Sequence, residues 1–340
     1  MIYIINDSND PYFNHAAEEY LMKNFEDEAF ILWINRPAIL IGKNQNTLSE
    51  INVDYVRENN IEVVRRLSGG GTVYNDLGNM NYTFITYKKP KERKLENGFE
   101  KFALPVIKAL QSLDIDAEFS GRNDVTIEGK KFSGTAQYSV KNKLLHHGTI
   151  MYNCEMSKLS QALKPKPLKF RDKSVKSVSS RVTNIADHMK AHMTVEEFRE
   201  YLKNFIINYN KIEKIYKFND YDLKEIEKIA QARFRTWEWN YGKSPVYEFE
   251  NSVKYKSGIV EYHLNAENGI IKDVGIHGDF FGTKDVEEIA SLLIGVRHDR
   301  ISIMEVLINS DISQFIAGLS NEEFAHGLLD IERTSELIEN

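Results

Sequence analysis

The stretch Arg65-Arg66-Leu67-Ser68-Gly69-Gly70-Gly71-Thr72-Val73-Tyr74-Asn75-Asp76-Leu77-Gly78-Asn79 constrains this chain more than any other. It follows an alternating apolar run (Ile61, Val63) and precedes another (Met80, Tyr82, Phe84), and both read as strands. Three consecutive glycines between strands are costly in backbone entropy. They suit a place where N–H groups approach a ligand closely or the backbone takes positive φ. Two adjacent arginines point to an anionic ligand, because guanidinium forks match phosphate or carboxylate oxygens. An ordinary tight hairpin needs two turn residues rather than a triplet flanked by arginines. No Gly-Lys-Ser/Thr follows, so the stretch is not a P-loop. The third glycine of a dinucleotide fingerprint would fall on Tyr74. By themselves the glycines indicate an anion near backbone and no more.

The remaining composition narrows the class. A chain of 340 residues has room for about two domains. Its 42% hydrophobic content and 18 phenylalanines support a substantial core, and a net charge of −6 argues against a nucleic-acid partner. The single cysteine, Cys154, rules out a disulfide framework and a four-thiolate zinc site. The opening residues lack the basic region and cleavage pattern of a signal peptide, and no run approaches the ~20 apolar residues of a membrane span. The expectation is a cytoplasmic protein with no membrane association.

Along the chain, a first strand over residues 3–6 leads to Asp10-Pro11, an N-cap followed by proline at the first helical position. Phe13, Ala16, Ala17, Tyr20 and Leu21 then keep helical spacing. Two apolar runs, residues 30–34 and 38–42, flank Asn35-Arg36-Pro37 and read as a hairpin. Residues 53–58 form a short helix, and Phe99, Phe102, Val106, Ala109, Leu110 and Leu113 mark a longer one with a buried face. Three strand-like segments follow: residues 117–119 running into 123–127, then 131–140, then 144–152.

Within them, Gly121-Arg122-Asn123-Asp124 sets an amide and a carboxylate at a strand start. Lys131-Phe132-Ser133-Gly134-Thr135-Ala136 sets a lysine ahead of small residues. Strand alternation predicts that Lys131, Ser133 and Thr135 share one face, so that a cation is aligned with two hydroxyls. An exposed strand lysine is the plain alternative for this segment alone. In His146-His147-Gly148-Thr149 the same alternation groups His147 with Thr149 and turns His146 away. Adjacent strand histidines cannot easily chelate one ion, so a hydrogen-bonding core histidine is expected rather than zinc.

Residues 164–181 carry seven basic side chains, one acid and two prolines with no regular period, and read as a basic loop. It is either a solvated linker or a lid over an anion. Thr194-x-x-Glu197 is a capping box opening a helix, and another helix spans about 223–233. The aromatic segment from Phe234 to Pro245 ends in turn signals, and the domain boundary is set there: residues 1–245 and 246–340. The second part reads as strands over 253–264 and 270–276 followed by helices over 285–293, 303–307 and 321–327. That is a small α+β domain with no defensible catalytic constellation.

Taken together and in this order, the glycine stretch, residues 121–124, 131–136 and 146–149, and Ser177-Val178-Ser179-Ser180-Arg181-Val182-Thr183-Asn184 resemble the lipoate–protein ligase family over nearly the whole chain. The part after Trp237 resembles the accessory domain of its longer members. The resemblance implies an α+β fold: a mixed or antiparallel catalytic sheet of the biotin/lipoate ligase type, related to class II tRNA synthetases, plus a small α+β C-terminal domain. It implies a two-step reaction in which lipoate and ATP give lipoyl-adenylate and pyrophosphate, and a lysine of a lipoyl domain then takes the acyl group. The implied cofactors are ATP and Mg2+. The implied partners are lipoic acid or octanoate and apo lipoyl-domain proteins, namely E2 subunits of 2-oxoacid dehydrogenases and the glycine cleavage H protein, served by a monomer.

By matching position, Lys131 would be the essential lysine. Arg66, Ser68, Gly69, Gly70 and Gly71 would hold the adenylate or its phosphates. Asn75, Asn79, Asn123 and Asp124 would contact the nucleotide, with Asp124 also the candidate for magnesium. Ser133, Gly134, Thr135, Ala136, His147 and Thr149 would line the site, and Ser177, Val178 and Arg181 would belong to an adenylate-binding loop over 173–181. The chemistry agrees. Adenylation brings a carboxylate and a triphosphate together, so the site needs positive charge, which Lys131 supplies at the α-phosphate and then at the acyl carbonyl. The lipoate tail needs an apolar tunnel, for which the first strands and residues 80–84 are candidates.

Many relatives carry histidine where this chain has Asn75, which hydrogen-bonds but cannot be cationic. Activation by adenylation removes the need for an enzyme nucleophile, and no convincing triad or activated cysteine is evident. The alternatives are an ATP-independent lipoyl or octanoyl transferase, which needs a cysteine nucleophile, and a non-catalytic lipoate or acyl-adenylate binding protein, which would not need Lys131. Cys154 is expected to be a small buried residue. A biotin ligase is disfavoured because its Gly-Arg-Gly-Arg-Arg-Gly-type loop is absent.

Overall fold

The computed structural model describes residues 1–45, 47–88, 98–163, 181–241, 249–267, 270–298 and 300–329. Two units divide it: residues 1–41, 47–68 and 72–243 form the first, and residues 42–46, 69–71 and 244–340 the second.

The first unit is organised by an eight-stranded mixed sheet. Its strands are β1 (Ile2–Ile5), β2 (Ala29–Trp33), β6 (Asn79–Tyr87), β7 (Ala117–Ser120), β8 (Asp124–Ile127), β9 (Lys130–Val140), β10 (Lys143–Met151) and β11 (Lys214–Lys217), in the order β11-β1-β2-β6-β10-β9-β8-β7. Only the β11–β1 and β1–β2 pairs are parallel, and the other neighbours run antiparallel. A second sheet holds β3 (Ala38–Ile41), β4 (Glu62–Arg65) and β5 (Val73–Asn75) in the order β4-β3-β5.

The expected hairpin over residues 30–42 does not form. β2 pairs with β1 and β6, whereas β3 pairs with β4 and β5, so Asn35-Arg36-Pro37 carries the chain from one sheet to the other. Both strands are buried along their whole length, and a continuous apolar run records that burial without recording a partner. The segment 117–127 also turns back: Gly121 takes φ +59° and lets β7 pair antiparallel with β8.

Helix Pro11–Asn24 starts as its sequence requires. Asp10 Oδ1 accepts from the N–H groups of Tyr12 and Phe13, and Pro11 occupies the first turn. Helix Phe99–Gln111 covers one face of the main sheet, where Phe102, Val106 and Leu110 join Met80, Tyr82, Phe84 and Ile150 in a single core. Those three β6 residues therefore belong to this helix-covered core. Helix Val195–Tyr209 opens with the expected capping box, Thr194 with Glu197. The helix expected over 223–233 begins earlier, at Asp220, and continues beyond Ile229 as a π-helical turn, Ala230–Phe234.

The second unit has its own core around Tyr262, Leu264, Ile276, Ile289, Leu293 and Phe324. Its sheet is β12 (Phe249–Tyr255), β13 (Gly258–Glu267) and β14 (Ile270–Gly278). The run 253–264, expected as one strand, is a β12–β13 hairpin that turns just before Gly258, at φ +130°. Among the described residues no helix is long and apolar enough to cross a membrane.

Candidate active site

The strand register decides which side chains meet. In β8–β9, Asp124 pairs with Gly134 and Val125 with Ser133, but Thr126 pairs with Lys131, so Phe132 is an extra residue in a β-bulge. Phe132 is fully buried in the main core, as is its neighbour Val125. The bulge inverts the expected alternation. Lys131 falls on the face of Asp124, Gly134 and Ala136, opposite Ser133 and Thr135. Lys131 Nζ lies 2.7 Å from Asp124 Oδ1, with the two side chains 36% and 40% exposed and so open to a ligand. A Cβ on Gly134 would sit 2.8 Å from Lys131 Nζ, and so Gly134 makes the space across which the lysine lies.

The Lys131 face continues across the sheet. Ala136 pairs with His147, His147 with Thr83, Thr149 with Asn81 and Met151 with Asn79. Thr149 Oγ1 accepts the Gly134 N–H at 3.3 Å. This face thus gathers Lys131, Asp124, Gly134, Ala136, His147, Thr149 and Asn79. The opposite face holds Ser133 and Thr135, both buried. Thr135 Oγ1 donates to the Asn123 carbonyl at 3.1 Å, and Asn123 Nδ2 donates to the Thr135 carbonyl at 2.7 Å, which ties the β8 entry to β9. His146 also lies there, stacked on Phe102 with ring centroids 4.8 Å apart. Burial, and then the neighbouring His147, pushes its pKa well below the ordinary value, so it is a neutral core residue.

His147 is the hydrogen-bonding histidine. Its Nδ1 lies 2.9 Å from Glu18 Oε1 and its Nε2 lies 2.6 Å from Ser68 Oγ. Ser68 Oγ also accepts from Arg66 Nε at 3.1 Å. A serine–histidine–glutamate connection therefore exists that was not evident in the sequence; Glu18 sits in the first helix with no sequence signal of its own. Burial pushes the Glu18 carboxyl up. His147, followed by His15, outweighs it and holds the group well below the carboxylate range. Arg66 is buried, and burial lowers its pKa to about 10 against the opposing charge of Glu18.

The two arginines divide their work. Arg65, expected beside Arg66 at the anion, is fully buried and donates to the carbonyls of Trp239 (2.9 Å) and Asn240 (3.3 Å) and to Thr47 Oγ1 (2.7 Å). It is structural. Arg66 Nη1 donates to the Leu40 carbonyl at 2.9 Å.

Asn75 is enclosed in a ladder of amides, its Oδ1 accepting from Asn35 Nδ2 (3.1 Å) and Asn81 Nδ2 (2.9 Å). Asn79 is buried, and its Oδ1 has no hydrogen-bond partner among the described residues. Gly70 takes φ +96°, and a Cβ on Gly42 would meet its carbonyl oxygen at 1.9 Å; Gly69 and Gly71 flank it in the second unit. Arg181 is exposed, and residues 182–183 run beside Lys131, whose carbonyl accepts the Thr183 N–H at 3.0 Å. Ser177, Val178 and most of the expected 164–181 loop lie outside the described residues. The Cys154 thiol is buried, and its pKa is raised by burial and then by Asp76, which removes the thiolate a transferase needs. No group of three or more His, Cys, Asp or Glu side chains able to hold a metal occurs among the described residues.

By architecture this is an α+β protein of the lipoate ligase fold. Its fold matches the lipoate complex of LipL1 from P. falciparum with a TM-score of 0.78 at 24% identity, covering 97% of this chain and 98% of that one. It also matches a bipartite lipoate protein ligase from Thermoplasma acidophilum, solved in a study of that archaeal lipoylation system and its E2 lipoyl domain (TM-score 0.64, 25% identity, 73% and 98% covered). The family model of the lipoyl protein ligase A/B catalytic domain matches residues 10–207, and that of the bacterial lipoate protein ligase C-terminus matches residues 244–328. The chain is 43% identical to lipoate-protein ligase LplJ of Bacillus subtilis over 95% of its length and 98% of that protein's. It is 41% identical to lipoate–protein ligase 1 of Staphylococcus aureus, covering 94% and 96%. The chain belongs to the lipoate–protein ligase family, and it is an ATP-dependent ligase that attaches lipoate to protein through lipoyl-adenylate.

Proposed function

We propose that this ligase runs both half-reactions on the Lys131 face of the main sheet, and that residues 1–245 and 246–340 serve as catalytic and accessory domains. The carrying observation is the bulge at Phe132, which gathers Lys131, Asp124, Gly134, His147, Thr149 and Asn79 on one face.

In the first step a lipoate carboxylate oxygen attacks the α-phosphorus of ATP and pyrophosphate leaves. Lys131 neutralises charge that grows on the shared oxygens, and Asp124 holds its ammonium in position. Arg66 supplies a fixed cation for the anion, and Ser68, Gly69, Gly70 and Gly71 are assigned to the adenylate. Asn79 Oδ1 offers a buried acceptor to a nucleotide donor. Magnesium arrives on ATP as part of the substrate. Asp124 fits the single carboxylate that such an ion takes from protein while phosphates fill other positions. Asn75, Asn123, Ser133 and Thr135 shape the surrounding backbone, and Ser177, Val178 and Arg181 belong to the adenylate loop.

In the second step the target lysine's amine attacks the acyl carbonyl. AMP leaves, the amine loses a proton, and Lys131 stabilises the carbonyl oxygen. The substrate is lipoate or octanoate. The acceptors are apo lipoyl domains of E2 subunits and the glycine cleavage H protein, met by a cytoplasmic monomer.

The test mixes the protein with lipoate, MgATP and an apo lipoyl domain and reads that domain's intact mass. A lipoyl mass shift that requires ATP and disappears in Lys131→Ala is expected. A shift that needs an acylated donor protein and Cys154 instead would replace the ligase by a transferase.

A further inference from the structure

The serine that opens the glycine triplet is connected to the first helix by a directional chain of hydrogen bonds. A guanidinium only donates and an ionised carboxylate only accepts, so the two ends fix the sense of the two outer links. Arg66 Nε–H enters Ser68 Oγ, and Nδ1–H of His147 enters Glu18 Oε1. In the neutral imidazole that leaves Nε2 bare, and it accepts the Ser68 O–H.

Further donors converge on the same carboxylate. Thr83 Oγ1–H donates to Glu18 Oε1 at 2.7 Å while accepting Trp33 Nε1–H at 3.0 Å, and His15 Nδ1 lies 2.9 Å from Oε2. Every partner of Glu18 is a donor, and the whole chain is buried. A leucine in its place would leave these donors without an acceptor, and the His147 ring would have to change tautomer or lose its contact.

We propose that Glu18 is a positioning residue for lipoate activation, holding His147 as the Nδ1–H tautomer and through it fixing Ser68 and Arg66 for the anionic substrate. This role rests on the ligase reading of the site above. The connection Ser68–His147–Glu18 is also the one that arms a serine nucleophile. Here, however, Ser68 is buried and its oxygen is engaged by Arg66, and adenylation already supplies the activated acyl group.

The experiment uses the full chain with 15N-labelled histidine, reading the ring nitrogens of His147 by NMR alongside lipoate-dependent exchange of pyrophosphate into ATP. The wild type is expected to show protonated Nδ1 and bare Nε2. In Glu18→Leu, which offers no acceptor, that pattern changes and exchange slows by about 10- to 100-fold, the scale of one stranded buried polar group. Glu18→Asp, which keeps the carboxylate, restores the pattern and part of the rate. A folded Glu18→Leu that keeps both pattern and rate overturns the proposal. So does one that loses rate while the His147 nitrogens stay as in the wild type. Should Glu18→Leu not fold, the wild type still decides: protonated Nε2 with bare Nδ1, or labelling of Ser68 by a fluorophosphonate, overturns it. Absence of exchange in the wild type would instead remove the ligase reading beneath it, an outcome distinct from all of these.

Discussion

At the scale of single residues, position relative to the sheet decides chemistry. Gly134 carries no side chain because Lys131 crosses the space a Cβ would fill. Gly134→Ala should displace the end of a flexible lysine, shifting stability by less than about 1 kcal/mol while slowing adenylation about tenfold or more through misplacement of the cation. Thermal denaturation beside pyrophosphate release checks both halves. Cys154→Ala should leave ligation within about twofold of wild type, because a buried thiol with a raised pKa supplies no nucleophile; a large loss in a mass assay would return the transferase reading. Lys131 and Asp124 stood in stretches that the sequence marked as site-like, since cation and carboxylate lay beside glycines in short strands, whereas His147 read there as a hydrogen-bonding core histidine and joined the site list only through the family resemblance. Glu18 was not, because nothing local separates it from Glu19 in the same helix. Arg65 and Arg66 look alike in the sequence, and only the carbonyls of Trp239 and Asn240, more than 170 residues away, give Arg65 a structural task. Arg65→Ala should therefore lower stability by about 3 kcal/mol, as stranded buried carbonyls cost ~1–3 kcal/mol each, measured as a lower urea midpoint.

At the scale of elements, the first helix was predictable to its cap because capping is a local interaction between Asp10 and the next few N–H groups. Asp10 has a second task in pairing with Arg235 at 2.6 Å. Burial pushes its carboxyl up, but the Arg235 hydrogen bond, the Phe13 N–H and the charges of Arg235 and Arg36 outweigh it and hold the pKa below the ordinary value. A carboxyl depressed on folding adds stability above its unfolded pKa and loses that contribution as pH falls through the folded one. Asp10→Asn keeps a capping oxygen and removes the charge. The stability gap between wild type and variant should thus be full near neutral pH and narrow as pH falls below about 4, read from urea midpoints at several pH values. The bulge at Phe132 is the element that alternation failed to predict. It exists because Phe132 and Ser133 both turn to the core side, a demand made by helix Phe99–Gln111 and β8 rather than by neighbours in sequence. The same limit explains the false hairpin over residues 30–42: two apolar runs joined by a proline-containing turn are compatible with pairing to each other or to different sheets.

At the scale of the whole molecule, each unit carries its own hydrophobic core, and the second includes 21 buried apolar residues between Tyr255 and Leu328. Residues 244–329 produced alone should unfold in a single cooperative transition by circular dichroism. A non-cooperative melt would show that this core needs the rest of the chain. What the amino-acid sequence determined unaided was whatever rests on short-range physics or on residue type: the capped helices, the tight turns, a glycine triplet behind two arginines, a lysine in a strand of small residues, and the family that this ordered set identifies. What only the tertiary structure decided was orientation and partnership. The face of the sheet that Lys131 occupies, the division of labour between two adjacent arginines, and the link from Glu18 through His147 to Ser68 all depend on contacts between residues far apart in the chain. Burial selects among arrangements that local propensity leaves equal in energy.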